Sequence, residues 1–180
     1  MKAFVPAICI GAVAAVAVLP DTVRAAPVTF FGEDLNNSEV VRLSAHPNSD
    51  NAKASFFSNL TGVGTETFES FAAGATTIAP SFAGAGTATL SGGTVVNVPT
   101  GTDGFGRYPI SGNQYYEVDS STFTISFDQP IAAFGFYGID IGDFGGQLTL
   151  HATGGGDVTL TVPNTIGNNA STGGSVLYYG

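Results

Sequence analysis

The sequence is poor in cysteine and in basic residues. It contains a single cysteine, Cys9, and only 5 lysines and arginines against 14 aspartates and glutamates, which gives a net charge of −9 at pH 7. One cysteine excludes an intramolecular disulfide and a cysteine-based zinc site. A surface with so few positive charges repels phosphate backbones and anionic lipids. We therefore expect neither nucleic acid nor acidic membranes as partners.

The longest apolar run stands at the N-terminus. Lys2 precedes the run over residues 3–19, and the tripeptide Val-Arg-Ala follows at residues 23–25. This arrangement predicts a secretory signal peptide over residues 1–25, with cleavage after Ala25. We therefore expect a mature chain from residue 26 onward that is secreted or displayed at the cell surface, with no membrane span of its own.

The chain is rich in glycine and in aromatic residues. It has 25 glycines, 14 phenylalanines and 6 tyrosines. Glycine at about twice its usual frequency indicates many tight turns. The aromatic content is higher than a disordered chain carries, so a packed core is expected. Residues 26–180 have the length of a single domain.

Most of the chain is typical of strands. Apolar and polar residues alternate in short segments that are separated by turn signals about every 8–12 residues, as in sandwich proteins. Residues 121–127 show the clearest alternation, and residues 91–93 read as a hairpin turn. The nearly continuous apolar run at 131–137 predicts a central strand that is covered on both faces. Residues 147–153 and 158–162 predict a hairpin.

One helix is predicted, over residues 48–60, with Ser49 or Asp50 as its cap. Ala52 and Phe56 recur there at helical spacing. The whole pattern predicts an all-β fold: an antiparallel β-sandwich of jelly-roll type with one short helix near its N-terminus. Because the sequence stops in a predicted strand, we expect the domain to be C-terminally incomplete.

Acidic residues form the first candidate site. Asp140 and Asp143 lie in a glycine-rich stretch after the predicted central strand, and Glu66 and Glu69 lie at the start of the predicted strand at 67–71. Calcium prefers such carboxylate oxygens, which makes all four candidate ligands of a structural calcium ion. The alternative is that the two aspartates hold a turn and that the two glutamates face solvent.

An aromatic loop forms the second candidate site. The sequence Phe-Gly-Arg-Tyr at residues 105–108 combines rings with polar groups, as sugar-binding sites do. The candidate ligand contacts are Arg107, Tyr108 and Tyr115. The alternative is that the aromatic rings pack in the core and that Arg107 forms an ion pair. The sequence has no nucleophile elbow and no recognisable catalytic histidine, so we expect a protein without enzymatic activity.

Four segments in this order are similar to known proteins: residues 42–71, 101–113, 123–150 and 173–180. Together they resemble the bacterial PEP-CTERM proteins, which are secreted and sorted by exosortase. The resemblance implies export, a jelly-roll domain and no established catalysis. The sorting tail of that family, a Pro-Glu-Pro motif with an apolar span and a basic cluster, does not occur in the sequence.

These observations predict a non-catalytic secreted or cell-surface protein that is associated with the extracellular polysaccharide matrix. Its expected partners are extracellular polysaccharide or other surface proteins. The alternative function is a calcium-stabilised carbohydrate-binding module with a discrete glycan site. Calcium, in a structural role, is the one cofactor that the sequence suggests.

Overall fold

The computed structural model describes residues 27–118, 123–142, 147–152, 158–165 and 173–180. The predicted signal peptide and Asp143 lie outside the described residues. Those residues form antiparallel strands and one helix, which confirms an all-β fold. In chain order, the elements are β1 (Phe31–Asp34), α1 (Pro47–Phe57), β2 (Ser81–Phe82), β3 (Gly86–Ser91), β4 (Thr94–Asn97), β5 (Gln114–Glu117), β6 (Thr124–Phe127), β7 (Phe136–Ile139), β8 (Thr149–Ala152), β9 (Val158–Thr161) and β10 (Val176–Tyr179).

The strands pair into two three-stranded and two two-stranded sheets. The first has the order β1–β10–β7, and the second has the order β2–β3–β6. β4 pairs with β5, and β8 pairs with β9. The hairpin that the sequence predicts at residues 147–162 is therefore present as β8 and β9. The predicted alternation is also found over residues 123–127, because Thr124 and Ser126 are exposed and Ile125 and Phe127 are partly buried; residues 121 and 122 of that prediction lie outside the described residues.

The central strand of the first sheet is β10, and the prediction of a central strand at residues 131–137 is wrong. Strand β7 begins only at Phe136 and lies at the side of β10. All four residues of β10 are buried. β10 is central because it pairs with β1 on one side and with β7 on the other. Glycines let it lie close to this region, since a Cβ atom at Gly135 would collide with Tyr178 and one at Gly138 would crowd Leu177.

Residues 91–93 do not form the predicted hairpin turn. β3 pairs with β6 and β4 pairs with β5, so the chain passes from one sheet to another at this point. Gly92 has a φ of 87°, a left-handed value that favours glycine. The position of a Cβ atom on Gly93 is taken by the ring of Tyr116 and the carbonyl of Glu117. The two glycines therefore allow the chain to cross from one sheet to the other.

Helix α1 confirms the predicted helix, with different ends. It starts at Pro47, which suits a first helical position, and it ends at Phe57. The predicted caps, Ser49 and Asp50, lie inside its first turn. Ala52 and Phe56 are buried and pack against Tyr178 of β10. No helix in the described part of the chain combines the length and the apolar character that crossing a bilayer would require.

Candidate functional site

The loop between β4 and β5 carries the predicted ligand contacts, and it is fastened to an earlier segment. The guanidinium of Arg42 donates to the carbonyls of Val98 and Gly101. The carbonyl of Glu39 accepts from the hydroxyl of Thr102 and from the backbone N–H of Gly106, the latter at 3.0 Å. Residues 98–108 thus follow the surface of the segment that precedes α1.

Asp103 shapes the tip of this loop. Its Oδ1 accepts from the backbone N–H groups of Phe105 at 2.9 Å and Arg107 at 3.0 Å. Its Oδ2 lies 2.8 Å from Nε of Arg107, close enough for an ion pair but not aligned as a hydrogen bond. Nη1 of Arg107 lies 2.7 Å from Oε1 of Glu117 in β5. The guanidinium is therefore held between two carboxylates.

Tyr115 belongs to the same group. Its hydroxyl lies 3.4 Å from Oδ2 of Asp103, at the outer limit of a hydrogen bond. Burial raises the pKa of Tyr115, and the negative charges of Asp103 and Glu117 raise it further. The phenol is thus a neutral group at physiological pH. We call Asp103, Arg107, Tyr115 and Glu117 the Arg107 cluster.

Tyr108 lies inside the protein, with 4% of its surface exposed. Its hydroxyl accepts from the backbone N–H of Leu43 at 3.1 Å and donates to the carbonyl of Gly174 at 2.9 Å. Burial raises the pKa of this phenol. The side chain joins the loop to two distant segments, and of the three predicted contacts it is the one turned away from solvent.

Phe105 is the exposed aromatic residue of the loop. Its surface is 67% accessible, and Cζ of Arg107 lies 5.6 Å from the centre of its ring, within reach of a cation–π interaction. Sequence reasoning placed Phe105 in the candidate loop but did not select it as a contact, and it missed Asp103 and Glu117. The spacing of Asp103, four residues before Arg107, was the one available signal for the pair.

The two predicted glutamate ligands bind backbone groups. Residues 67–71 are not a strand, and Phe68 has a left-handed φ of 67°. Oε1 of Glu66 accepts from the N–H groups of Thr67 and Phe68. Oε1 of Glu69 accepts from two backbone N–H groups, that of the first residue of β5 and that of the residue before it, each at 2.8 Å. Both carboxylates thereby fix local backbone.

Asp140 lies in the turn after β7. Its φ is 63°, and its N–H donates to the carbonyl of Ser175 at 3.3 Å. The side chain of Asn164 packs on Gly142 of the same turn. Across the described residues, the structure gathers no group of three or more His, Cys, Asp or Glu side chains that could hold a metal ion. Three of the four predicted calcium ligands, Glu66, Glu69 and Asp140, belong to this part of the chain and do not form such a group there, and calcium stays a prediction.

Comparison of the chain with family models, curated proteins and solved structures gave no match. The resemblance to the PEP-CTERM proteins thus rests on the sequence segments alone.

Proposed function

We propose that this chain is a secreted, non-catalytic β-sandwich protein of jelly-roll type that associates with extracellular polysaccharide, in the matrix or at the cell surface. We further propose that the sugar contacts Phe105 and the Arg107 cluster. The observation that carries the proposal is the exposed ring of Phe105 beside a guanidinium that two carboxylates hold in place.

The chemistry of the loop suits a sugar. An exposed ring offers a flat apolar face to the C–H groups of a pyranose, and the neighbouring polar groups can bind hydroxyls. Arg107 is already fixed by its ion pairs, and Asp103 fixes the backbone that carries Phe105. Groups held in this way lose little freedom on binding. Because two carboxylates surround one guanidinium, an uncharged sugar fits better than an anionic one.

The same pairing supports a non-catalytic role. Hydrolysis by two carboxyl groups requires one to act as an acid and the other as a base or nucleophile, on opposite sides of the scissile bond. Asp103 and Glu117 instead contact a common guanidinium. In this arrangement both act as counter-ions, which favours binding over bond cleavage.

Replacing Phe105 with alanine tests the binding surface. We expect affinity for a neutral polysaccharide to fall about tenfold, since truncating a central aromatic contact costs about 1.5 kcal/mol. Phe105→Tyr keeps the ring and serves as the matched control. Affinity electrophoresis against a panel of neutral and acidic polysaccharides measures the change. Unchanged binding by Phe105→Ala, or no binding of any polysaccharide by the parent protein, would contradict the proposal.

The alternative, a calcium-stabilised carbohydrate-binding module, finds support in the turn after β7, where the side chain of Asn164 packs on Gly142, two residues after Asp140. At a free calcium concentration about a hundredfold above Kd, bound calcium stabilises a protein by about 2.7 kcal/mol. A chelator should then lower the Tm by about 5–10 °C.

Calorimetry with and without chelator checks the calcium alternative. Added calcium should restore the Tm, and Asp140→Asn should melt at the same temperature under both conditions. A Tm that the chelator leaves unchanged removes the calcium alternative and leaves the polysaccharide proposal standing.

A further inference from the structure

Strand β1 is paired on one side only within the described residues, since β10 lies between it and β7. The backbone of Phe30 donates to the carbonyl of Gly180 at 2.7 Å and accepts from its N–H at 3.1 Å. Residues that make such bonds alternate along an antiparallel ladder. The backbone groups of Thr29 and Phe31 therefore point away from β10, and within the described part of the chain they have no hydrogen-bond partner.

The free edge has a definite end. The carbonyl of Glu33, which also points outward, accepts from Nδ2 of Asn48 in α1 at 3.1 Å. On the N-terminal side of Glu33, the space between β1 and α1 is open and forms a groove of about 460 Å³. We call this the β1 groove; its lining residues are Thr29, Phe30, Phe31, Gly32, Asn48, Asn51, Ala52 and Ser55. The open stretch therefore runs from Thr29 to Phe31.

No residue that lines the β1 groove carries a charge, although the chain has a net charge of −9. Two copies of so acidic a protein repel each other, and an uncharged surface is where they approach at the lowest electrostatic cost. Phe31 is 40% exposed, and such a contact would remove part of the apolar surface of its ring from water. A charged partner would find no counter-charge in the groove, so the electrostatics favour a second copy of the chain.

We propose that the β1 edge is an interface between two copies of this protein. An exposed strand edge is a template for a further strand. Because Asn48 occupies the carbonyl of Glu33, the pairing centres on Phe30: Thr29 of each copy lies opposite Phe31 of the other. The two copies then exchange four N–H···O bonds across a twofold axis, as in an isologous dimer. The sheet becomes six-stranded, in the order β7–β10–β1–β1–β10–β7.

The substitution Phe31→Pro tests this pairing. Phe31→Pro removes the outward N–H but none of the bonds between β1 and β10, and edge strands tolerate proline. Phe31→Thr, the matched control, keeps the N–H and removes only the ring. We expect the mass of the parent protein and of Phe31→Thr to double with rising concentration in sedimentation equilibrium. The mass of Phe31→Pro should stay at one copy, with an unchanged circular dichroism spectrum.

Asn51→Lys provides a second variant that does not touch the strand. It places like charges near the twofold axis, so it should also hold the protein at the mass of one copy, more strongly at low salt. One-copy mass for the parent protein at all concentrations, or doubling in Phe31→Pro, would overturn the proposal. The proposal would also be overturned if the protein stays at the mass of one copy and binds a neutral polysaccharide or an extended peptide, and if Asn51→Lys abolishes that binding. The groove would then be assigned to that ligand.

Discussion

Leu177→Ala is expected to destabilise the protein by about 4 kcal/mol, since removing a buried leucine side chain loses its transfer free energy and leaves a cavity. Leu177 is fully buried in β10, where it pairs with Glu33 of β1 and Gly138 of β7. Its side chain packs with Val162 and Tyr179. Strands on both sides hold the backbone in place, so the cavity has little means of closing.

Urea denaturation followed by circular dichroism measures this loss. Leu35→Ala is the matched control, because Leu35 is 48% exposed and its truncation should cost about 0.5 kcal/mol. Leu177→Met retains most of the volume and should cost less than about 1.5 kcal/mol. A loss below about 1 kcal/mol for Leu177→Ala would contradict the position of β10 at the centre of its sheet.

Asp34→Ala is expected to cost about 3 kcal/mol, because it leaves buried donors without their charged acceptor. The Asp34 carboxylate, at the end of β1, accepts from the N–H groups of Asn48 at 3.1 Å and Ser49 at 2.9 Å. It also accepts from the hydroxyl of Ser49 at 2.8 Å. It therefore serves as the N-terminal cap of α1, from a strand and not from the residues beside the helix. Thermal and urea unfolding of Asp34→Ala and the isosteric Asp34→Asn measure the effect, and Asn should retain part of the capping.

The contribution of Asp34 also depends on pH. Burial by itself raises the pKa of this carboxyl, but the hydrogen bonds from Ser49 and Asn48, with the nearby His46, outweigh burial and hold the pKa below its ordinary value of 3.8. Its stabilisation is therefore complete above pH 3.8 and is lost as the pH falls through the lower folded-state pKa. The difference in unfolding free energy between the parent protein and Asp34→Asn should shrink in that acid range. A constant difference would argue against an ionised cap.

Local patterns predicted much of the fold. The alternation in β6, the hairpin of β8 and β9 and the apolar spacing of α1 are all properties of neighbouring residues, and the structure contains each of them. Pairing between distant strands has no such local signal. The apolar run at residues 131–137 therefore looked like a central strand, and nothing in the short segment Val-Leu-Tyr-Tyr of β10 showed that it would lie between β1 and β7.

The candidate site shows the same limit. Arg107 and Tyr115 were predicted together, and they do share a cluster, since both contact Asp103. The counter-ion Glu117 could not be assigned, because an ion pair between a loop and a strand depends on the folded geometry. The type of a residue also does not show whether it is exposed. Tyr108 was therefore selected as a ligand contact although it is buried, and Phe105, in the same loop, was not selected although it is exposed.

The hydroxyl of Tyr108 has a consequence for the dynamics of the protein. It donates to Gly174, immediately before the segment that enters β10, and Leu43 donates to it from the other side. A loop fastened in this way cannot open alone, because its opening breaks a bond to the segment that leads into β10, the most buried strand of the first sheet. We therefore expect amide hydrogens of residues 98–108 to exchange with solvent in step with those at the start of β10. The exposed surface and the hidden core then belong to one cooperative unit.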